Sequence, residues 1–240
     1  MPSRFSSAFS WLILFAVTSA GTFALAQAPG IFVTPVPNTQ FSAVVQVRRS
    51  IVAHDGSIAE VKSIREIARD SRGRVHNEVR ESLPLGSVKT PQVLNVHLYD
   101  PQTRISTSVD PRTQTFWQET IRHPPSTVPP TIRYASPASS GLPPNEFTKE
   151  EDLGIQEVDG VPAHGLRETQ TIPAESSGIG KDVVVTDEFW YSDDLRINLV
   201  VKHSDPRTGE VKLTVTQVTR TEPDSALFEI PQGYKPGQRN

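Results

Sequence analysis

The sequence predicts a mostly β protein built on one curved, half-barrel-like antiparallel sheet, and three observations carry that expectation. Apolar and polar residues alternate with period two over Leu94–Leu98, Leu195–Val201 and Val211–Val215, as strands with one buried face require. A turn motif, Asp-Pro-x-Thr, recurs at Asp100, Asp110 and Asp205. There Asp can bond its own downstream backbone, and Pro presets φ at the second position. Finally, 21 prolines and 14 glycines punctuate the 240 residues too often for long helices.

The chain opens with a secretory pattern. Arg4 supplies a thin positive region, Phe9–Val17 an apolar stretch, and Ala24-Leu25-Ala26 the small residues a signal peptidase accepts before Gln27. The alternative is an uncleaved anchor, but the uninterrupted run Trp11–Val17 is short of the ~20 residues that span a bilayer. Residues 1–26 are therefore read as a signal peptide, and the protein as exported, periplasmic or extracellular. Arg4 is the only charge removed, so the net charge moves from −3 to −4. With charges interspersed and no basic run, nucleic acid and anionic membrane surfaces are not the expected partners. The absence of cysteine excludes disulfides, thiolate metal sites and thiol chemistry.

Pro29, Pro35 and Pro37 make 27–40 an extended lead-in, and 41–235 a single β domain of about eleven strands, with a tail at 236–240. Two further hairpins are expected: Asp159-Gly160 between Asp152–Val158 and Val161–Ile172, and Ser192-Asp193-Asp194 between Asp182–Tyr191 and Leu195–His203. The segment Ile58–Arg69 is ambiguous. Ile58, Val61, Ile64 and Ile67 recur every third residue behind a capping-box-like Ser57-x-x-Glu60, which suits a helix. The turn-like Asp70–Arg74 and the strand-like Val75–Leu83 that follow favour a β-hairpin, the reading adopted. Seven prolines in 122–148 exclude a central strand or helix there and point to a long loop. Near the C-terminus, Glu222–Phe228 reads as one helical turn with Pro223 at its first position and Asp224 next, pinned to the sheet by Leu227 and Phe228.

A search for chemistry yields no catalytic, cofactor or metal constellation. The six histidines lack metal-ligand spacing. Ser176–Lys181 has neither phosphate-loop nor dinucleotide spacing, and Gly-x-Ser-x-Gly is absent. Asp187 and Glu188 fall on opposite faces of a strand, which separates the pair that glycoside cleavage would need. Arg65, Arg69, Arg72, Arg74 and Arg80, interleaved with acids, read as charge pairs on a solvated face. Phe189-Trp190-Tyr191 and Phe116-Trp117 read first as packing. A ligand platform of Phe189, Trp190, Tyr191, Trp117 and Tyr134 is the functional alternative.

Several stretches resemble a recurrent group of uncharacterised exported bacterial proteins. They are Ile64–Glu81 with its Ala-Arg-Asp-Ser-Arg-Gly-Arg core, Leu153–Pro173, Glu188-x-Trp190-Tyr191-Ser192, Ser204–Arg207, and Pro223-Asp224-x-x-Leu227-Phe228-x-x-Pro231. More distantly, the strand count and the Leu-Phe-x-x-Pro ending resemble the half-barrel of periplasmic lipoprotein-localisation factors and related sigma-regulator sensors. That resemblance implies a non-enzymatic protein holding an apolar or lipid-like small molecule in the concave face of its sheet, with no cofactor and no membrane span after signal removal. The alternative is an envelope module that binds a protein or glycan through an outer face or sheet edge. On export the expectation is concrete: N-terminal sequencing of the mature protein should start at Gln27, and an intact Met1 in the membrane fraction would contradict it.

Overall fold

The computed structural model describes residues 30–122 and 147–237. The signal segment 1–26, most of the Pro-rich loop, Tyr134 and the last three residues lie outside them. The strands are β1 (Phe41–Val52), β2 (Ile58–Arg69), β3 (Val75–Arg80), β4 (Leu83–Pro84), β5 (Val93–Asp100), β6 (Ile105–Asp110) and β7 (Thr115–Thr120). They continue with β8 (Thr148–Val158), β9 (Val161–Ile172), β10 (Val183–Ser192), β11 (Ile197–Asp205), β12 (Gly209–Thr219) and β13 (Lys235–Pro236). All belong to one open curved sheet ordered β13-β7-β6-β5-β3-β2-β1-β12-β11-β10-β9-β8, with β4 beside β2. Two meanders thus meet at the β1–β12 pair, and only the β13–β7 pairing is parallel. Eleven strands have six residues or more; β4 and β13 are two-residue additions to the expected count.

The Asp-Pro-x-Thr segments are hairpin turns as expected. Asp100, Asp110 and Asp205 accept the backbone N–H two residues on, from Gln102, Arg112 and Arg207, at 2.8, 2.9 and 2.8 Å. The fifth residue of each turn is left-handed: Arg104 at φ 60°, Gln114 at φ 53° and Gly209 at φ 110°. At Gly209 a side chain is also excluded by space, because a Cβ would collide with the Ser50 carbonyl oxygen. Asp159 and Gly160, at φ 52° and 74°, form the tight turn expected between β8 and β9. The turn after β10 is longer than expected, running through Leu195 and the left-handed Arg196, so β11 starts at Ile197.

Ile58–Arg69 is a strand, paired residue for residue with Val52–Phe41. Twelve consecutive pairings outweigh the three-residue apolar repeat, a case of tertiary context overriding local pattern. An unpredicted helical turn, α1 (Ala174–Ser177), sits between β9 and β10. The C-terminal turn is 3₁₀ and begins later than expected, at Ser225–Phe228. Asp224 is its cap, accepting from Ala226 N at 2.9 Å, and Pro223 precedes it.

Burial is spread over both faces of the sheet. Opposed residues share a face, so pairing assigns Phe41, Val45, Val47, Leu213, Val215, Val201 and Phe189 to one face, here the inner face. All are buried, five of them to 2% exposure or less. In β3, β5 and β6, alongside Val75 and Tyr99 on the inner face, the opposite, outer face is buried as well, through His76, Leu98, Thr107 and Val109. The C-terminal segment is anchored on that side: His76 Nδ1 meets Leu227 O at 2.7 Å, Arg74 stacks 4.8 Å above the Phe228 ring, and Lys235 N donates to Gln114 O at 3.0 Å. Phe228 is buried, so the expected pinning role holds.

One arginine overturns the solvated-face expectation. Arg69 is 0% exposed and stacks 5.0 Å from the Phe41 ring. Its guanidinium donates to Thr39 O from Nε and Nη2 (2.9 and 2.7 Å), to Thr34 O (2.8 Å) and to Leu195 O (2.6 Å). Burial pulls its pKa down to about 10, which leaves it charged at neutral pH. Next to it, Asp70 accepts from Arg72 N, Arg74 N and Arg74 Nε and closes the turn to β3. By contrast, Arg80 does make an expected cross-strand pair, with Glu66 at 2.8 Å, and a second pair along its own strand with Glu78 at 2.7 Å. Replacing Arg69 by Met should strand the carbonyls of Thr34, Thr39 and Leu195 away from water. Urea unfolding should register a loss of about 3 kcal/mol or more, and Arg69→Lys should recover only part of it.

Candidate functional site

The aromatic residues singled out from the sequence do not form one cluster. Phe189, Trp190 and Tyr191 are 0%, 8% and 7% exposed, all within the packed interior. A bulge in the β10–β11 pairing falls between Trp190 and Tyr191. The Trp190 indole packs on Gly165, where a Cβ would come within 2.7 Å of the ring, and donates from Nε1 to Glu188 at 2.9 Å. Burial pushes the Tyr191 phenol up, partly offset by Arg196 and Arg69. Trp117 is half-buried near the far edge, on the inner face, and shares its row with Ser108, His97 and Asn77.

The inner face has an apolar centre with polar margins. On the β3–β7 side lie Asn77, Asn95, His97, Ser106 and Ser108. His97 Nε2 meets Ser106 Oγ at 2.9 Å, and Asn95 donates to Ser108 Oγ at 2.6 Å. Burial lowers the His97 pKa, and Glu119 opposes that shift weakly. At the other margin Glu150, Glu168, Asp187 and His203 fall in one register row across β8–β11. His203 Nδ1 lies 2.8 Å from Asp187 Oδ1, and that hydrogen bond raises the His203 pKa. Burial, then the charges of Glu150 and Asp187, raise the pKa of Glu168. Glu188 is on the opposite face, where burial pushes its pKa up but bonds from Trp190 and Arg167 outweigh it and hold it low. Asp187 and Glu188 therefore cannot act together, as the strand alternation anticipates. Among the described residues no group of three or more histidine and carboxylate side chains is arranged to hold a metal.

Arg65 was absent from the sequence-derived site, being one of five arginines read as solvated. It stands on the inner face opposite Val45, between Ser63 and Ile67, where the apolar centre gives way to polar residues. Its Nε is buried without a hydrogen-bond partner. Burial, and then repulsion from Arg49 on the same face, lower its pKa. Among the described residues neither arginine has a carboxylate partner. The one available signal was alternation: counting in twos from Ile67 puts Arg65 on the buried face.

On the outer face a cleft of about 400 Å³ opens beside the C-terminal turn, lined by Ser42, Val44, Ala68, His76, Gln217 and Leu227 among others. The buried His76 Nε2 has no hydrogen-bond partner, the nearest carboxylate being Glu78 at 3.9 Å.

No family model and no curated protein matches the sequence. Among solved structures the chain is similar to the MucA/MucB complex of Pseudomonas aeruginosa, with 14% identity and a TM-score of 0.40 over 79% of this chain and 55% of that one. It is also similar to LprF from Mycobacterium bovis (11% identity, TM-score 0.32, 82% and 91% covered). A LolA superfamily protein from Nitrosomonas europaea matches comparably (10% identity, TM-score 0.32, 82% and 92% covered). The chain spans little more than half the length of the MucB-type chains it matches. Likenesses of this size place no constraint on function.

The acidic margin generates a pH-dependent expectation. A raised His203 pKa contributes stability that is complete below the unfolded value, near 6.5, and is lost as pH rises through the folded value. Asp187→Asn should therefore cost up to about 1 kcal/mol at pH 6 and little at pH 9. Glu168→Gln should do the reverse: little change at pH 4, and a gain in melting temperature at pH 7, where the wild-type carboxylate is ionised among like charges. Thermal melts of both variants across pH 4–9 check the two signs.

Proposed function

We propose that this is a non-catalytic binding protein of the cell envelope that takes an amphiphile on the inner face of its sheet, anionic head at Arg65 and apolar body along the half-buried Val61 and the exposed Val79 outside the packed β1–β12 centre. The observation that carries this reading is the unpartnered, buried Arg65 Nε at the edge of an apolar surface. A guanidinium taken partly out of water without a carboxylate is held at a cost, and a charge-assisted bond to a ligand carboxylate or phosphate would offset it. Arg49 on the same face adds a second positive charge. This reading refines the apolar ligand expected from the sequence by giving it a charged end. Trp117, four interstrand spacings or ~19 Å from β2, lies too far to touch the same head group.

The test uses a pair of probes alike except at the head, oleate and oleyl alcohol, each displacing a fluorescent hydrophobic dye from the mature protein. Arg65→Met should weaken oleate about tenfold or more, the worth of one charge-assisted hydrogen bond, and leave the alcohol unaffected. The same variant should melt at least as high as wild type, because it removes an unpaired buried charge. Equal affinity for the two probes in the wild-type protein would refute the reading, as would an Arg65→Met variant that binds oleate normally.

A further inference from the structure

A second surface, on the outer face and independent of the inner-face reading, carries an electrostatic arrangement that sheet stability alone disfavours. Lys62 on β2 stands directly opposite Arg48 on β1; Arg48 stands opposite Lys212 on β12; Lys212 stands opposite Lys202 on β11. Four cations thus form a single file across four adjacent strands at the interstrand spacing of ~4.8 Å. Like charges directly opposed on a sheet destabilise it, and here the opposition occurs three times in succession. Only Lys202 has carboxylates beside it: Glu210 at 3.4 Å, and Glu188, which stands opposite it on β10 and ends the file. Among the described residues Lys62, Arg48 and Lys212 have no ion-pair partner.

The surroundings of the file restrict what can lie on it. Gln46 and Thr214 occupy the next row on one side and present neutral hydrogen-bonding groups. On the other side Ser50, Glu60 and Glu210 border a small cleft of about 180 Å³ beside Arg48 and Lys212. A planar anionic membrane would press on Glu60 and Glu210 as well as on the cations. An extended acidic peptide docks by pairing its backbone with a sheet edge, and the four strands that carry the file all lie inside the sheet. A linear chain with one carboxylate per short repeat can follow the cations, avoid the flanking acids and use Gln46, Thr214 and Ser50 for its hydroxyls.

We propose that the row Lys62–Arg48–Lys212–Lys202 is a binding track for an acidic polysaccharide of the uronic-acid type. The sequence hides it, because the four residues are scattered through a chain of net charge −3, and only the register of two hairpins and the β1–β12 pairing between them brings them into line.

The mature protein should bind oligogalacturonate at low salt, with affinity falling steeply as ionic strength rises. The triple variant Arg48→Gln, Lys62→Gln, Lys212→Gln should lose at least about tenfold in affinity while melting no lower than wild type, since it relieves like-charge opposition. Lys89→Gln and Lys181→Gln, exposed cations away from the track, serve as controls and should bind normally. Three results would overturn the proposal: a triple variant that binds as wild type does, equal binding of the fully methyl-esterified polymer, or stripe-dependent binding to anionic phosphatidylglycerol vesicles with none to the oligosaccharide. Oleate binding should be unchanged in the triple variant, which separates failure here from failure at the inner face.

Discussion

A guanidinium withdrawn completely from water must find acceptors for its N–H groups, and much of this fold is arranged around meeting that demand for Arg69. Four hydrogen bonds to the carbonyls of Thr34, Thr39 and Leu195 draw the lead-in segment and the β10–β11 turn onto the end of β2. Those segments are 30 or more residues from Arg69 in sequence, so the bonds close loops that local structure could not. The neighbouring residues extend the arrangement. Gly73 at φ 84° lets the β2–β3 turn lie against the Pro35–Pro37 backbone, where a Cβ would approach within 3.3 Å. The Glu222 carboxylate accepts from Ser71 N and Oγ, bringing in the segment after β12. With a pKa of about 10 the Arg69 charge persists through the neutral range, so this anchoring is not a pH switch.

The second constraint is that an amphipathic sheet needs a cover on every apolar face. This sheet is too wide for one cover: the inner face carries the core from β1 through β12 to β10, and in β3, β5 and β6 the outer face is buried as well. Strand β2 lies between the two regions. Its inner-face residues run from buried Ile67 and Arg69 to half-buried Arg65, while its outer face presents the half-buried Lys62 and the exposed Glu66. Both candidate binding surfaces draw on this strand.

What the sequence disclosed and what it withheld follow the range of the interactions. Hairpin turns were legible because Asp, Pro and the left-handed fifth residue act within five positions. Strand faces in β12 were legible because alternation runs uninterrupted from Val211 to Thr216, whereas in β11 Val200 breaks it and both faces are buried from Ile197 to Val201. The Ile58–Arg69 repeat misleads locally, since isoleucine every third residue suits a helix and only pairing with β1 decides otherwise. Arg69 was not legible: nothing in Ala-Arg-Asp-Ser-Arg-Gly-Arg separates the arginine that is buried from the ones that are not, because its acceptors are carbonyls whose positions are set by the fold. The cation file lies between these extremes. The turn centred on Arg207 places Lys202 opposite Lys212, and the turn after Val52 places Arg48 opposite Lys62, so both pairs follow from counting. That β12 sits beside β1, and not at an edge, does not.

The two surfaces share an energetic logic. A protein of ordinary marginal stability has about 5–15 kcal/mol to lose, and unpaired or opposed charges each draw on that margin. Arg65 could have been leucine, and Lys62 or Lys212 glutamate, with a gain in sheet stability and no change in turn chemistry or core packing. On the proposed readings, the charge at both surfaces is completed by something outside the chain. The two differ in what completes them. On the inner face one guanidinium borders an apolar surface, so the missing partner is a single anionic group on an apolar body. On the outer face the cations are evenly spaced and flanked by polar residues and acids, so the missing partner is long, hydrophilic and repetitively charged. An amphiphile would gain nothing from the second surface, and a polyanion would be excluded from the first by the cost of desolvating its remaining charges. The two proposed surfaces would therefore select for different chemistry, and substitutions at one should leave the other undisturbed.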